Sequence, residues 1–292
     1  METFGRQTFT GERPLYGIRD AQIDSCVFGE GESPLKECRD ITVTGSTFGW
    51  KYPLWYCRNV KVEGTTWEEM ARAGVWYSHD VNVSNSVIYA PKNFRRCNGL
   101  KLTDVRFTNA AETLWNCTDV VLKNIEADGG DYLAMNSHGV EVTGLKLNGN
   151  YAFDGCSDVT IKDSRLNTKD AFWNCRNVQV EDSYINGEYL GWNSSDLTFV
   201  NCTIESNQGL CYIDNLKLVN CRLVNTTLAF EYSSVDAVID SDIDSVFNPK
   251  SGTITCGRIG ELIIERDKVD PSKTIIKAAA ISRESDRPGW LS

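Results

Sequence analysis

The sequence predicts an all-β fold, a single-stranded right-handed parallel β-helix of about 11–12 coils of 19–21 residues with three short strands per coil. Three observations carry this. Cys156–Asn174 (CSDVTIKDSRLNTKDAFWN) and Cys175–Asn193 (CRNVQVEDSYINGEYLGWN) repeat one pattern at a spacing of 19 residues, and a fixed period of that size marks a stacked repeat. Each repeat places two apolar residues two apart, the period of a short strand with one face buried. The residue before that strand is only ever Gly, Asn or Asp, the types that tolerate a left-handed backbone, so one turn recurs in every coil.

In chain order, the first strand is marked by Ile41, Val60, Val81, Leu100, Val120, Val140, Val159, Val178, Leu197 and Leu216, each with an apolar residue two further on. Five residues later come Phe48, Trp67, Ile88, Phe107, Ala127, Leu147, Leu166, Ile185, Ile204 and Leu223, a second strand. A third apolar point closes each coil: Leu54, Val75, Phe94, Leu114, Ala134, Phe153, Phe172, Gly191, Leu210 and Phe230. The pattern C-x-x-V-x-V-x-x-S-x-F also superposes on a leucine-rich repeat, but the Asn ladder is missing and no stretch has helical periodicity. Residues 1–17 lack the full repeat and are expected to cap the helix that spans 18–264. The charged tail, 265–292, carries Pro271, Pro288 and one apolar segment, Ile275–Ile281, and is expected to cap the last coil or lie along its side.

Of the eleven cysteines, Cys38, Cys57, Cys97, Cys117, Cys156 and Cys175 share one repeat position, where Ser78, Ser137 and Ser194 replace Cys. Residues at one position stack about 4.8 Å apart with parallel side chains, which does not suit a disulfide. A reduced cysteine ladder follows, and without CxxC or Cys/His spacing zinc is the weaker reading. Carboxylates of neighbouring coils can hold Ca²⁺ without a linear motif; no other cofactor is expected. A net charge of −10 and a pI near 4.9 argue against nucleic acid as partner. With no signal peptide, lipidation motif or long apolar run, a soluble, cytoplasmic protein is expected.

Function is sought where the repeat breaks. One residue past the third apolar point, alternation predicts an outward row: Trp55, Trp76, Arg95, Trp115, Met135, Asp154, Trp173, Trp192, Cys211 and Glu231. Such a face suits a groove, unless a tail or loop covers it and makes the row core. Further back lie Lys51, Arg72, Lys92, Asp131, Lys169 and Glu188, with Glu112 and Asp170 one residue later. Cations, including Lys36, Arg95 and Arg96, gather in the early coils and acids in the later ones, which suits an anionic ligand. Salt bridges between coils, Lys92 with Glu112 or Lys169 with Glu188, are the plainer explanation.

The segments GERPLYG, GESPLKE, WKYPLWY, ARAGVWY, APKNFRR, AETLWNC, KDAFWN, GEYLGWNS and AFEYS resemble those of a bacterial family of pectin-lyase-like right-handed β-helix proteins, a domain of unknown function. The resemblance covers nearly all of residues 2–264 and implies the fold without a catalytic assignment. The wider superfamily is rich in polysaccharide lyases, hydrolases and esterases, an analogy of fold only.

Two functions follow as expectations. In the first, the chain is a carbohydrate-active enzyme on an acidic oligosaccharide. Trp55, Trp76, Trp115, Trp173 and Trp192 would stack on sugars, Lys51, Arg72, Lys92, Arg95 and Arg96 would pair with carboxylates, and Glu112, Asp131, Glu188 and Glu231 would line the groove. Asp154 and Asp170 are its paired carboxylates for a hydrolase, and Lys92 or Arg95 its base for a lyase. In the second, the chain is a non-catalytic scaffold whose row binds a carbohydrate, a protein partner or another copy of the chain in a homo-oligomer.

Overall fold

Left-handed backbone at fixed points of the repeat turns the chain into coils. In the computed structural model, which describes residues 1–286, the Gly/Asn/Asp position before each first strand has positive φ: 55° at Asp40, 53° at Asn59, 70° at Gly99, 54° at Asp158 and 56° at Asn177. Other side chains meet the backbone in this conformation, whereas Asn and Asp reach local hydrogen bonds there. They do so coil to coil: Asn59 Nδ2 donates to Asp40 Oδ1 (2.6 Å), Asn177 to Asp158 (2.5 Å) and Asn215 to Asp196 (2.6 Å).

The protein is a parallel β-helix of about 15 turns, more than the ladder of full repeats gives, and it divides into two compact units, Met1–Gly149 and Asn150–Ser292. In the first unit the strands Glu2–Gly5, Arg19–Asp24, Arg39–Thr44, Arg58–Glu63, His79–Ile88, Asn98–Phe107, Thr118–Ala127 and His138–Asn148 stack in parallel. Register never slips: Ile41 faces Val60, which faces Val81, then Leu100, then Val120. Residues 1–17 join this stack, since Glu2–Gly5 pairs with Arg19–Asp24 and Thr8–Phe9 with Val27–Phe28. Their motif is hidden at the first strand, where Glu2 and Phe4 stand opposite Ala21 and Ile23, while Phe9 keeps the aromatic point of Phe28 and Phe48.

In the second unit the corresponding strands are Ser157–Lys162, Arg176–Glu181, Ser194–Val200, Ile213–Thr227, Ser234–Ile239, Ser251–Ile263 and Thr274–Ser285. The apolar tail segment is itself a rung: Ile275 lies opposite Thr253 and Ile281 opposite Ile259. The 3-10 turn Pro271–Lys273 precedes it, and Pro288 lies outside the described residues. That single short turn is the helical content of the described residues, so no leucine-rich-repeat helices are present.

Inside each unit the expected apolar points are buried, Gly191 among them. Each Val, Leu, Ile or Phe so buried contributes about 1.5–3 kcal/mol. Aromatic residues stack along the axis, Phe28 on Phe48 with centroids 5.2 Å apart and Phe48 on Trp67 at 4.5 Å. The third side is less regular than a strand. It is extended at Leu54–Trp55 and Val75–Trp76, and then isolated bridges join Trp76, Arg95 and Trp115. Positive φ at alternate residues, Lys92, Phe94 and Arg96 for example, breaks the pleat there.

The cysteine corner explains its own composition. All eleven thiols are free and buried. Cys57 Sγ lies 3.0 Å from the carbonyl of Leu35 and Cys175 Sγ 2.9 Å from that of Phe153. Where Ser replaces Cys the hydroxyl makes the same bond: Ser78 Oγ donates to Leu54 O (2.9 Å) and Ser194 Oγ to Phe172 O (2.6 Å). Ser78 Oγ also accepts the Cys57 amide (3.0 Å). A small side chain with one donor fills the corner, and Cys or Ser meets that need.

Candidate functional site

The outward row of the first unit is a continuous stack of planes. The Trp55 and Trp76 rings are 5.1 Å apart and within 6° of parallel. The guanidinium of Arg95 continues the stack, 5.3 Å from the Trp76 ring and 4.2 Å from that of Trp115. Each plane also donates to a carbonyl of the following coil: Trp55 Nε1 to Ala73 O (2.6 Å), Trp76 Nε1 to Lys92 O (3.2 Å), Arg95 Nε to Glu112 O (3.3 Å) and Trp115 Nε1 to Tyr132 O (2.7 Å). Arg95 thus stands in for a tryptophan, matching its plane and its N–H. Half-buried indoles arranged this way present their edges, with their faces against one another.

The cations set behind this row are largely paired within the unit. Lys92 and Arg95 both reach Glu112 Oε2, at 3.3 and 2.6 Å. Burial acts to raise the Glu112 carboxyl, but the hydrogen bonds from Arg95 and Lys92 outweigh it and hold the group below its ordinary value. Both cations act as donors to Glu112 here. Lys51 pairs with Glu32 (3.3 Å) and lies over the Trp50 ring. Arg96 leans on Tyr77, Arg72 and Asp131 are exposed, and Met135 is half-buried.

In the second unit the row differs in kind. Trp173 and Trp192 are tilted by 35° with centroids 5.9 Å apart, Trp192 stacks on Tyr212 at 4.1 Å, and Trp173 Nε1 donates to Tyr189 O (2.9 Å). Cys211 and Glu231, expected on an open face, are buried, at 0% and 7% exposure. Glu231 accepts from Tyr212 Oη (3.2 Å) and from Gln208, which gives a buried carboxylate its partners. Asp154, half-buried, accepts from Asn174 Nδ2 (2.9 Å). Glu188 is paired with Lys169 (3.1 Å).

Asp170 is the exception among the acids. It is buried, and desolvation raises its carboxyl above the ordinary range; a hydrogen bond with Tyr151 opposes this, the charge of Glu188 adds to it, and Lys169 opposes it. Asp170 and Glu231 both act electrostatically on the Cys211 thiol, which burial pushes up to about 12. Both acids thus lie within electrostatic reach of Cys211. Nearby, a concavity of about 580 Å³ holds Tyr212, Tyr232, Lys250 and Lys273, a feature for which the repeat gave no signal. Among the described residues no group of three or more His, Cys, Asp or Glu is placed to hold a metal ion, and no helix is long and apolar enough to cross a membrane.

A family model described as "Protein of unknown function (DUF3737)" matches residues 2–277. The chain belongs to that family. No curated protein matches the sequence. Among solved structures, the chain is similar to PfbA, a surface adhesin of Streptococcus pneumoniae, at 12% identity and a TM-score of 0.30, covering 94% of this chain and 73% of that one. It is similar to the A-module of the Azotobacter vinelandii mannuronan C-5 epimerase AlgE4 at 11% and 0.28, covering 99% and 89%. It is also similar to the tailspike protein of E. coli bacteriophage HK620, solved with a pentasaccharide, at 9% and 0.38, covering 94% and 70%. Likenesses this distant transfer no activity.

Proposed function

We propose that this member of the family is a carbohydrate-active protein of hydrolase or lyase type acting on an acidic oligosaccharide, with its acid on the third side of the second unit. One observation carries the reading: Asp170 is a buried carboxyl on the third side, hydrogen-bonded to Tyr151 and flanked by Lys169 and Glu188, and burial raises it above the ordinary carboxylate range. A carboxyl raised above the ordinary range holds its proton to higher pH than a solvated aspartate and so suits protonation of a departing glycosidic oxygen, with an ionised partner completing the chemistry. Asp154 and Glu231 are the carboxylates available as that partner. Trp173 and Trp192, tilted by 35° to one another, belong to the same outward row.

The test is product analysis on a panel of acidic and neutral oligosaccharides with the full chain, its Asp170→Asn variant and its Asp154→Asn variant. Turnover of acidic members that is lost in Asp170→Asn, with circular dichroism unchanged, supports the reading. Turnover that survives in that variant removes Asp170 from the mechanism.

A second reading, a binding scaffold without turnover, has its own support. The Trp55, Trp76, Arg95 and Trp115 planes cover one another, as a structural spine does, and leave no indole between them free to stack on a sugar. Saturable binding by a protein that turns over none of the panel would favour it.

A further inference from the structure

The first strands of the early coils carry a feature that neither the row of planes nor Asp170 uses. Arg19, Arg39 and Arg58 are direct register partners in three consecutive parallel strands. Position for position they stand about 4.8 Å apart. All three are exposed, and none makes an ion pair among the described residues. Like charges directly opposite one another destabilise a sheet. The fold does not ask for them: the next rungs carry His79, Asn98 and Thr118 at the same position. Three unpaired guanidinium groups in register, in a chain of net charge −10, need an explanation outside the protein's own packing.

A concavity supplies it. A depression of about 610 Å³ is bounded by Tyr16, Arg19, Lys36, Arg39 and Tyr56, with Glu37 the acid in its lining. Glu37 is already engaged, accepting from Tyr16 Oη at 2.7 Å and lying 3.9 Å from Lys36. Asp40, beside Arg39, is taken by Asn59 in the corner ladder. Tyr16 and Tyr56 are 49% and 48% exposed, and Tyr56 rests against Tyr77 with rings 5.0 Å apart. Half-exposed tyrosine surface here adjoins Arg19 and Arg39, which make no ion pair among the described residues, while Lys36 Nζ lies 5.6 Å from the Tyr56 ring centroid.

We infer that this cleft binds a short oligouronide, with carboxylates of successive sugars held by Arg19 and Arg39 in its lining and by Arg58 on the next rung beyond it, and a sugar face against Tyr16 beside the exposed edge of Tyr56. A guanidinium presents two parallel N–H donors that match a carboxylate. Carbohydrate adds what a bare anion lacks, an apolar ring face for the tyrosines. The inference takes the acidic-sugar class from the proposed function, but it is independent of the chemistry at Asp170.

The test is calorimetric titration of the full chain with tri- and hexagalacturonate and with tripolyphosphate, at low and high salt, with no turnover readout. Arg39→Gln, at an exposed position where it removes like-charge repulsion, is expected to fold normally and to bind about tenfold or more weakly, as loss of a charged hydrogen bond implies. Arg176→Gln, exposed at the same strand position of the second unit, is expected to bind as the parent does. Absence of saturable uronide binding, equal affinity in Arg39→Gln, or equal affinity for tripolyphosphate would overturn the assignment. Binding here without turnover would leave this inference standing while defeating the enzymatic one.

Discussion

Arg95 separates a structural reading of the outward row from a catalytic one, because its side chain is replaced by tryptophan in the rungs on either side. Its side chain is 16% exposed, it lies between the Trp76 and Trp115 rings, and it donates to both the carbonyl and the carboxylate of Glu112. Two partly desolvated cation–π contacts and one charge-assisted hydrogen bond together make Arg95→Ala costly by about 3 kcal/mol. Arg95→Trp keeps the plane and the N–H, and Lys92 still neutralises Glu112, so its cost should be about 1 kcal/mol or less. Arg95→Lys keeps the charge but not the plane and should fall between them. Urea unfolding of the full chain, followed by far-ultraviolet circular dichroism, measures this as midpoint shifts at constant m. Equal losses for Ala and Trp, or a Lys variant as stable as the parent, would refute the view that planarity is what this position requires.

Two further outcomes are expected. Ser78→Ala strips the partner from the buried Cys57 amide and from one hydrogen bond to Leu54 O, so it should lose about 1–3 kcal/mol, whereas Ser78→Cys should lose much less because thiols fill this corner elsewhere; equal losses in chemical denaturation would contradict the shared-donor account. The Asp170 carboxyl, raised from its ordinary value of 3.8, binds more protons folded than unfolded, so its contribution to stability falls as pH climbs through that value toward the folded pKa. Asp170→Asn should therefore match the parent at low pH and gain on it as pH rises toward neutrality, in thermal melts taken across that range; a difference that stays flat with pH would rule out desolvation as the cause.

Much of the fold was legible because a solenoid states each rule many times. The apolar points, the left-handed corner and the reduced cysteine ladder each recur often enough to be read against noise. What escaped were the ends, where Glu2 and Phe4 replace the usual residues of the first strand and where Thr274–Ser285 has no partner of similar sequence. The candidate site was less legible for a different reason. Alternation places Cys211 and Glu231 on an open face, but both are covered, Glu231 by Tyr212 and Gln208, which donate to it, and sequence spacing does not report what a neighbouring coil lays over a side chain. Pairing of Lys92 with Glu112 could be anticipated from spacing, whereas the Trp–Arg stack could not, because sequence gives a side chain's direction and not the tilt of its plane. The arginine run did leave a trace, Arg39 and Arg58 each following a corner cysteine, but it lay in a strand already assigned to structure.

A stack in which every rung repeats at one interval is also a ruler. Three guanidinium groups fixed to consecutive rungs measure a ligand's charges against the rise of the backbone itself, which the hydrogen bonds of the sheet hold constant. A partner whose charges recur at a different interval matches the first mark, strays at the second and misses the third. Selectivity by length and pitch then needs no shaped pocket for each sugar, and adding or removing one arginine would change the reading by a single graduation.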